Sequence, residues 1–348
     1  MSQGTDVPPV AGEVHLARRP TGLPQPEDFR LVQRPVRPPE AGEILIRNTW
    51  MSVDASTLLR MNNTGSSYLP PLAVDAPMDG WAVGRVVRSA SAAFTEGDVV
   101  VHDKGWRDYA VLPGRTGAWG QPEVVPVDEV RTEQRYLGPL GPTGLTAWAG
   151  LKKVAALAPG DVVFVSAAAG SVGGLVVQLA KGAGHVVVGS AGSEAKVRHV
   201  TEAYGADAAF SYRDGDIGER LASVAPDGID LYFDNVGGEH LEAALDALRP
   251  GGRVALCGAI SDYGSGLPAR GPRNLFNATV KGLTLRGFLS RMYAASMPEC
   301  RSDMYDALRT GSLTFPETVH EGLAEAPRAL IDLLSGHNLG KMLVRLAA

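Results

Sequence analysis

Between residues 161 and 179, the pattern of apolar positions changes from a continuous strand-like run to the spacing of a helix. A short β-branched and aromatic run, Val162–Val165, predicts a buried strand. Gly, Ala and Ser residues follow it, and apolar residues then recur at a helical spacing, at Val172, Leu175, Val176 and Leu179. The pattern therefore predicts a strand, a narrow turn and a helix.

Strand-like and helix-like segments alternate after this turn. The further predicted strands are His185–Ser190, Asp207–Tyr212, Ile229–Asn235, Arg253–Gly258 and Leu283–Phe288. Helical patterns lie between most of them, for example Glu194–Tyr204 and Leu241–Leu248. This alternation predicts an α/β domain over residues 139–311, built on a Rossmann-type, doubly wound parallel sheet of six strands.

The chain before residue 139 has an all-β pattern instead. Its strand candidates, separated by glycine and proline turns, are Glu43–Asn48, Ala82–Arg88, Asp98–His102 and Tyr109–Leu112. They predict an irregular, barrel-like domain over residues 1–138. A helical stretch, Leu145–Val154, leads from it into the α/β domain.

The last segment carries one more helix and one more strand, predicted at Ala326–Leu334 and Lys341–Leu346. Because this segment follows the sixth strand of the sheet, we expect residues 312–348 to complete the first domain. The cleft between two such domains is the usual place for a substrate.

The turn after Val165 has the features of a phosphate-binding loop. Gly170 and Gly173 occupy the second and third glycine positions of a G-x-G-x-x-G motif, and Ala168 stands at the first. Unpaired N–H groups at the start of a helix favour an anion such as a dinucleotide pyrophosphate. Small residues here could also serve close packing alone. A membrane span over residues 162–180 is disfavoured, because glycines interrupt it and Gln178 lies near its end.

Residues beyond the glycines indicate which dinucleotide is bound. Sites that prefer NAD carry Asp or Glu at the end of the second strand, and this strand ends instead in Ser190-Ala-Gly192. Lys196 follows one helical turn later, and Tyr212 and Arg213 end the third strand. A cation and a hydroxyl suit the 2′-phosphate of NADP(H), so we expect NADPH as the cofactor. The alternative is that Lys196 and Arg213 are ordinary surface charges.

Bulk composition excludes several other classes of protein. The chain has 348 residues, of which 45% are hydrophobic and 20% charged, as in an ordinary globular protein of two domains. A net charge of −5 gives no support for a nucleic-acid or anionic-membrane partner. Two cysteines, an N-terminus without a secretory pattern and histidines without metal-ligand spacing predict a cytoplasmic protein with no metal site.

These motifs resemble those of a known family. The chain is similar to the medium-chain dehydrogenases/reductases, above all to their zinc-independent 2-alkenal, prostaglandin and leukotriene B4 reductase branch, which includes bacterial curcumin-type reductases. The resemblance covers residues 13–346. It rests on Arg19-Pro20 with Pro26-Glu-Asp-Phe29, Ser52-Val-Asp54, Val165-Ser-Ala-Ala-Ala-Gly170, Phe233-Asp-Asn-Val-Gly-Gly238, Cys257-Gly-Ala-Ile-Ser261, Gly271-Pro-Arg-Asn274 with Lys281, Gly287-Phe288 and Asn338-Leu-Gly-Lys341.

The resemblance implies a GroES-like β-barrel as the first domain and a defined chemistry. NADPH delivers hydride to the β-carbon of an α,β-unsaturated ketone or aldehyde, while donors stabilise the enolate-like oxygen. Tyr263 matches the tyrosine that bonds the substrate carbonyl, and a homodimer through the edge strand is common in the family. The positions that match the family's cofactor contacts are Thr143, Thr146, Ala169, Gly170, Ser171, Val172, Gly173, Gly192, Ser193, Lys196, Tyr212, Asn235, Cys257, Ile260, Phe288, Ser290 and Asn338.

Simpler roles compete with three of these assignments. Cys257 would be a small buried filler, Asn235 a cap of the helix after its strand, and Tyr263 an ordinary loop residue. The pair Gly105-Trp106 is expected to be a packing feature of a turn.

The chain also departs from the family pattern in its first domain. Ser56 stands where the family usually has a pocket tyrosine, which enlarges the predicted substrate pocket, and Trp50 could refill part of it. Two further functions stay open: an NADPH quinone reductase of the same superfamily, and a non-catalytic NADP-binding protein.

Overall fold

The computed structural model describes residues 7–63, 69–264 and 271–346. The first six residues, on which the expectation about a secretory segment partly rests, lie outside this range. The chain divides into two compact units. Unit 1 contains residues 1–137, 317–338 and 342–348, and unit 2 contains residues 138–316 and 339–341.

Fifteen strands and nine α-helices are defined within the described ranges. In chain order they are β1 (Val10–Leu16), β2 (Phe29–Pro35), β3 (Glu43–Ser52), α1 (Thr57–Asn62), β4 (Ala82–Ser89), β5 (Val99–His102), β6 (Tyr109–Pro113), β7 (Glu123–Val124), α2 (Pro142–Ala149), β8 (Val162–Val165), α3 (Ser171–Gly182), β9 (Val186–Ala191), α4 (Glu194–Glu202), β10 (Ala208–Ser211), α5 (Ile217–Val224), β11 (Ile229–Asp234), α6 (Gly238–Ala247), β12 (Leu248–Leu256), α7 (Asn277–Val280), β13 (Thr284–Gly287), α8 (Met297–Thr310), β14 (Glu317–Glu321), α9 (Ala326–Leu334) and β15 (Lys341–Arg345).

Unit 2 is built on a six-stranded sheet in the order β10-β9-β8-β11-β12-β13. Every neighbouring pair is parallel. The predicted doubly wound sheet is thus confirmed. The chain order of the strands reverses between β8 and β11, which is where folds of this kind bind their ligands, beyond the carboxyl ends of the strands.

The core of unit 2 explains why these strands are so apolar. Phe164 of β8 stacks on Phe210 of β10 and on Tyr232 of β11, with ring centroids 5.9 and 5.0 Å apart. All three rings are buried, together with Leu221 of α5 and Leu245 of α6. Helices therefore cover strands whose side chains are apolar, as a parallel sheet requires.

Unit 1 holds an antiparallel sheet in the order β14-β15-β3-β4-β5-β7, with β6 paired to β3, and a separate β1-β2 pair. Strand β15 pairs with β3, and residues 317–338 lie in unit 1, whereas residues 312–316 and 339–341 lie in unit 2. Trp106 lies at the centre of the core with no exposed surface, beside Met51 and Leu330. Its φ of 60° belongs to a turn, which agrees with the packing role expected for Gly105-Trp106.

Several elements differ from the sequence prediction: α6 starts at Gly238 rather than Leu241, β3 continues to Ser52, and the pattern did not predict α8. The helix expected at Leu145–Val154 starts earlier, as α2, and continues after Ala149 as a π-helical turn, Gly150–Val154. A side chain on Gly150 would clash with the rings of Phe233 and Phe288, at 2.4 and 2.8 Å from its Cβ. In addition, β12 begins at Leu248 rather than Arg253. None of the helices in the described ranges has the length and apolarity to cross a membrane.

Candidate cofactor and active site

The glycine loop between β8 and α3 requires small residues at defined points. A Cβ on Gly173 would come within 2.3 Å of the Ala167 carbonyl oxygen, so glycine is needed for the helix to start this close to the turn. Ala167 itself has a φ of 50°, a left-handed conformation that is rare for alanine. Ala168 can replace the first glycine of the motif because its methyl group lies against Gly189, which has no side chain.

Helix α3 begins at this loop, and the N–H groups of its first turn have no carbonyl acceptor within the helix. Gly170 is the N-cap residue, and Ser171, Val172 and Gly173 form the first turn. Neither Asp nor Glu occurs in that turn, so the positive end of the helix dipole is not neutralised by its own side chains. The turn is therefore suited to an anion.

A distant segment of unit 2 holds the loop in place. The Gly340 N–H donates to the Ala169 carbonyl over 2.9 Å, and Gly170 and Gly340 form an isolated parallel bridge. The Lys341 N–H donates to the Pro316 carbonyl over 3.0 Å. We call this segment, residues 339–341, the loop clamp.

The side chain of Gln178 ties α3 to the same region. Its amide nitrogen donates to the carbonyls of Gly174 and Thr314, and its amide oxygen accepts from the Thr314 N–H at 2.7 Å. Since Gln178 is buried, these bonds satisfy a polar group that would otherwise destabilise the helix.

The ends of β9 and β10 bring two cations and a phenol together. The Tyr212 hydroxyl lies 2.8 Å from the place where a Cβ on Gly192 would be, so only glycine leaves room for this ring. The Arg213 guanidinium lies 5.9 Å from the centre of the Tyr212 ring. Ser193 caps helix α4 by accepting from the Lys196 N–H.

The charges of this group are close enough to affect each other. Burial, and then the positive charge of Arg213, lower the pKa of Lys196. An anion bound here would relieve that repulsion, which is what a phosphate site requires.

A buried polar network lies at the end of β11. The Tyr232 hydroxyl lies 2.9 Å from the Ser166 hydroxyl and 2.8 Å from Oδ1 of Asp234. Asp234 also accepts from the N–H groups of Val236 and Gly237, at 3.0 and 2.7 Å. The expectation that Asn235 caps the next helix is wrong on this geometry: its side-chain amide donates to the Ser166 carbonyl at 2.8 Å, and the N-cap of α6 is Gly237.

The buried position of this network shifts the pKa values of its own residues and of Cys257. Burial raises the pKa of Asp234 and raises that of Tyr232 well above its usual value. Burial, with the nearby Asp234 charge, raises the pKa of Cys257 to about 12, so this thiol stays protonated at neutral pH. Sequence reasoning missed Ser166, Tyr232 and Asp234 as site residues, although the polar Asp234 inside an apolar strand was a usable signal.

Tyr263 lies in the loop after β12. Its hydroxyl accepts from the Ala259 N–H at 3.4 Å and lies 3.2 Å from the position of a Cβ on Gly258. The Tyr263 N–H donates to the Ile260 carbonyl at 3.4 Å, so both residues belong to one compact turn beside Cys257.

The remaining predicted residues are divided between the two units. In unit 2, Thr143 and Thr146 are on α2, Phe288 packs edge-on against Phe233 at 6.2 Å, and Ser290 starts a 3-10 turn. Unit 1 carries Trp50, Ser56 and Asn338.

These unit 1 residues have different surroundings. The Arg345 guanidinium lies 5.4 Å from the centre of the Trp50 ring, on the neighbouring strand of the sheet. Ser56 precedes α1 and makes no side-chain capping bond to it. Asn338 is buried. The part of Trp50 and Ser56 in substrate binding and that of Asn338 in cofactor binding stay predictions.

In residues 7–63, 69–264 and 271–346, no three His, Cys, Asp or Glu side chains are grouped so that they could hold a metal ion.

Comparisons with known proteins identify the family. Residues 13–118 match the family described as the N-terminal domain of oxidoreductase, and residues 171–309 match the one described as zinc-binding dehydrogenase. The chain is 36% identical to a 2-alkenal reductase (NADP(+)-dependent) of Nicotiana tabacum, over 95% of this chain and 96% of that protein. It is equally 36% identical to an NADPH-dependent curcumin reductase of Escherichia coli, over 95% and 96%.

The chain is a medium-chain dehydrogenase/reductase. Within that superfamily it belongs to the zinc-independent branch of the curcumin and alkenal reductases, as its motifs predict. The crystal structure of CurA from Vibrio vulnificus in complex with NADPH superposes with a TM-score of 0.91 at 34% identity, covering 97% of this chain and all of that one. The α/β fold of this branch is thereby confirmed.

Proposed function

We propose that this medium-chain dehydrogenase/reductase uses NADPH to reduce the C=C bond of α,β-unsaturated ketones or aldehydes. The observation that carries the proposal is the glycine loop between β8 and α3, which is suited to a pyrophosphate. This loop lies in a chain that is 36% identical to an alkenal reductase and to a curcumin reductase. The enzymes of both names act with NADP(H), which agrees with the absence of a carboxylate at the end of β9.

The residues present fit NADPH at two points. The first turn of α3, with Gly173 packed on the Ala167 carbonyl, suits the pyrophosphate. Lys196, Arg213 and Tyr212, grouped beside Gly192, suit a 2′-phosphate. When bound, NADPH supplies the hydride that adds to the β-carbon of the enone.

The chain's own part in the reaction is to position groups and to stabilise charge. We assign Asn235, Ile260 and Cys257 to the nicotinamide side, with the Tyr232–Ser166–Asp234 network holding the backbone that carries them. The phenol of Tyr263 donates to the carbonyl oxygen as negative charge develops on it. The thiol of Cys257 stays protonated at neutral pH, because burial raises its pKa to about 12, so it supplies neither a thiolate nucleophile nor a base.

Activity with NADPH deuterated at its transferable hydrogen tests the proposal. The protein is incubated with enones, alkenals and quinones, and the products are analysed by mass spectrometry and NMR. We expect deuterium at the β-carbon of a saturated ketone or aldehyde. Reduction of quinones alone would instead identify a quinone reductase, and binding of NADPH without turnover of any acceptor would identify a non-catalytic protein.

The substitution Tyr263→Phe tests the assigned donor. Removal of a single oxyanion donor lowers kcat by about a hundredfold or more, so we expect a loss of that size. Because the phenol does not bind the cofactor in this proposal, the Kd for NADPH should stay unchanged. An unchanged kcat would remove Tyr263 from the mechanism.

We also propose that the protein forms a homodimer through β13 and works in the cytoplasm. The order of the sheet ends at β13, and the preceding segment exposes Phe276 and Val280 to 73% and 67%. Both cysteines are free thiols, which suits a reducing compartment. Light scattering of the purified protein and fractionation of the cells that produce it check the two points; a monomer or a secreted protein would contradict them.

A further inference from the structure

The ring of Tyr212 is packed against a buried histidine on another element. His240 lies in the first turn of α6, and its ring meets the Tyr212 ring edge-on, with centroids 5.2 Å apart and planes at 75°. His240 is 4% exposed. The contact joins the end of β10 to a helix that follows it by more than 20 residues.

Two further neighbours restrict the same ring. The Tyr212 hydroxyl occupies the space that a side chain on Gly192 would need, at 2.8 Å from that Cβ position. The Arg213 guanidinium lies 5.9 Å from the ring centre. The ring of Tyr212 is therefore bounded by His240, Gly192 and Arg213. Its hydroxyl lies beside Gly192, which connects β9 to the helix that contains Lys196, α4.

His240 cannot act here as a cation. Burial lowers its pKa to about 4, so the ring is neutral at physiological pH. Its Nε2 atom is buried and makes no hydrogen bond to any residue that the structure describes. What His240 offers to this site is the shape of its ring and the edge-on contact with Tyr212.

We infer that His240 is a positioning residue for the choice of NADPH over NADH, acting through the ring of Tyr212. An edge-on aromatic pair holds both rings in one geometry, and Tyr212 then keeps its hydroxyl beside Gly192, in the group that also contains Arg213 and Lys196. A phosphate bound there gains from a phenol that is already oriented, because no rotamer freedom is lost on binding. NADH, which has a hydroxyl instead of the 2′-phosphate, gains little from this arrangement. The inference rests on the proposed NADPH site and adds one residue to it.

Two substitutions at one position separate the ring from other effects. His240→Leu removes the aromatic edge, whereas His240→Phe keeps a ring of similar size and removes the unpaired nitrogen. We expect His240→Leu to raise the Kd for NADPH about two- to tenfold, the range of an aromatic pair, with the Kd for NADH nearly unchanged. His240→Phe should keep the ratio of the two Kd values of the unsubstituted protein.

Isothermal titration with NADPH and with NADH measures both constants on the full-length protein, and Lys196→Ala serves as the reference for direct loss of a phosphate contact. Equal weakening of both cofactors by His240→Leu would overturn the inference, because it indicates a structural role alone. The inference would also be overturned if His240→Phe changed the ratio of the Kd values for NADPH and NADH.

These outcomes are distinct from a failure of the proposed function. If the unsubstituted protein binds neither cofactor, the NADPH site itself is wrong. If it binds NADPH selectively and His240→Leu leaves that selectivity intact, only the role of His240 is wrong.

Discussion

At the scale of single residues, Gly173 is the position where one added atom has the clearest consequence. Its Cβ would lie 2.3 Å from the Ala167 carbonyl oxygen, which is backbone and cannot rotate away. The loop would have to move away from α3, and this would disturb the first-turn N–H groups that we propose to bind the pyrophosphate.

We therefore predict that Gly173→Ala weakens NADPH binding. Overpacking of this kind costs about 1–3 kcal/mol, which corresponds to about 5- to 150-fold in Kd if the cofactor needs the undistorted loop. Fluorescence titration with NADPH measures the change. Gly182→Ala is the matched control, since Gly182 ends the same helix with nothing within 4 Å of its Cβ position. Equal Kd values for both variants would contradict the prediction.

Residues of the glycine loop could be predicted from sequence because their spacing is local. The hydrogen-bond network around Asn235 could not be predicted. Its members Ser166 and Tyr232 are 66 residues apart in the chain and come together only because strands β8 and β11 pair. A serine and a tyrosine in apolar strands look like ordinary core residues until that pairing is known. Lys196 and Arg213 were recognisable as cations, while their mutual proximity depends on the packing of α4 beside β10.

At the scale of elements, the loop clamp decides how firmly the glycine loop is held. Gly340 combines a φ of +64° with a Cβ position only 2.0 Å from the Pro316 carbonyl oxygen. An alanine would therefore be strained in its backbone and would also clash with Pro316. Displacement of residue 340 would remove its bond to Ala169 in the glycine loop.

Gly340→Ala should accordingly lower thermal stability and raise the Kd for NADPH. Gly322→Ala provides the control, because Gly322 has a φ of +84° but no atom within 4 Å of its Cβ position. The left-handed conformation costs both variants about 1–2 kcal/mol. We expect the Gly340 variant to lose more in Tm than the Gly322 variant, and to be alone in binding NADPH more weakly; indistinguishable variants would disprove the role of the clamp.

Elements with a strong period were predicted well, and those formed by tertiary contacts were not. The helix α9 was predicted with its observed bounds, Ala326–Leu334, because its apolar face has a regular spacing. The change from α2 to a π-helical turn was not foreseen. Gly150, the first residue of that turn, packs against the ring of Phe233, which is more than 80 residues later in the chain.

At the scale of the whole molecule, a fully buried histidine makes stability depend on pH. His102 accepts from the Lys104 N–H through Nδ1 at 3.1 Å, so its other nitrogen, Nε2, donates to Oδ1 of Asn48 at 2.9 Å. A second proton would have to bind at Nδ1, where it would point at the Lys104 N–H and remove that hydrogen bond. Burial, and then the charges of Arg107 and Lys104, lower the pKa of His102 to about 3.

The sign of the effect follows from this shift. Between about pH 6.5 and pH 3 the unfolded chain binds a proton at His102 and the folded chain does not. The free energy of unfolding therefore falls as the pH falls through this range, by up to about 1.4 kcal/mol per pH unit. The stabilisation is fully present only above about pH 6.5.

We predict that His102→Gln, which can make both hydrogen bonds without titrating, reduces this slope. Urea unfolding at several pH values between 5 and 7 measures it, with about 1 kcal/mol per pH unit of difference expected near pH 5. The raised pKa values of Asp234 and Glu317 act with the opposite sign, so the difference in slope is the result to compare. An equal slope for the unsubstituted protein and the His102 variant would refute the prediction.

The loop clamp has a further consequence for how the protein is made. Gly340 follows its bridge partner Gly170 by 170 residues in the chain. At ribosomal rates of about 5–20 residues per second, the turn proposed to bind the pyrophosphate is made about 10–30 s before the loop clamp. A nascent chain can therefore complete all six strands of its parallel sheet and still lack a finished coenzyme site, so that capture of the coenzyme becomes a late event in biosynthesis.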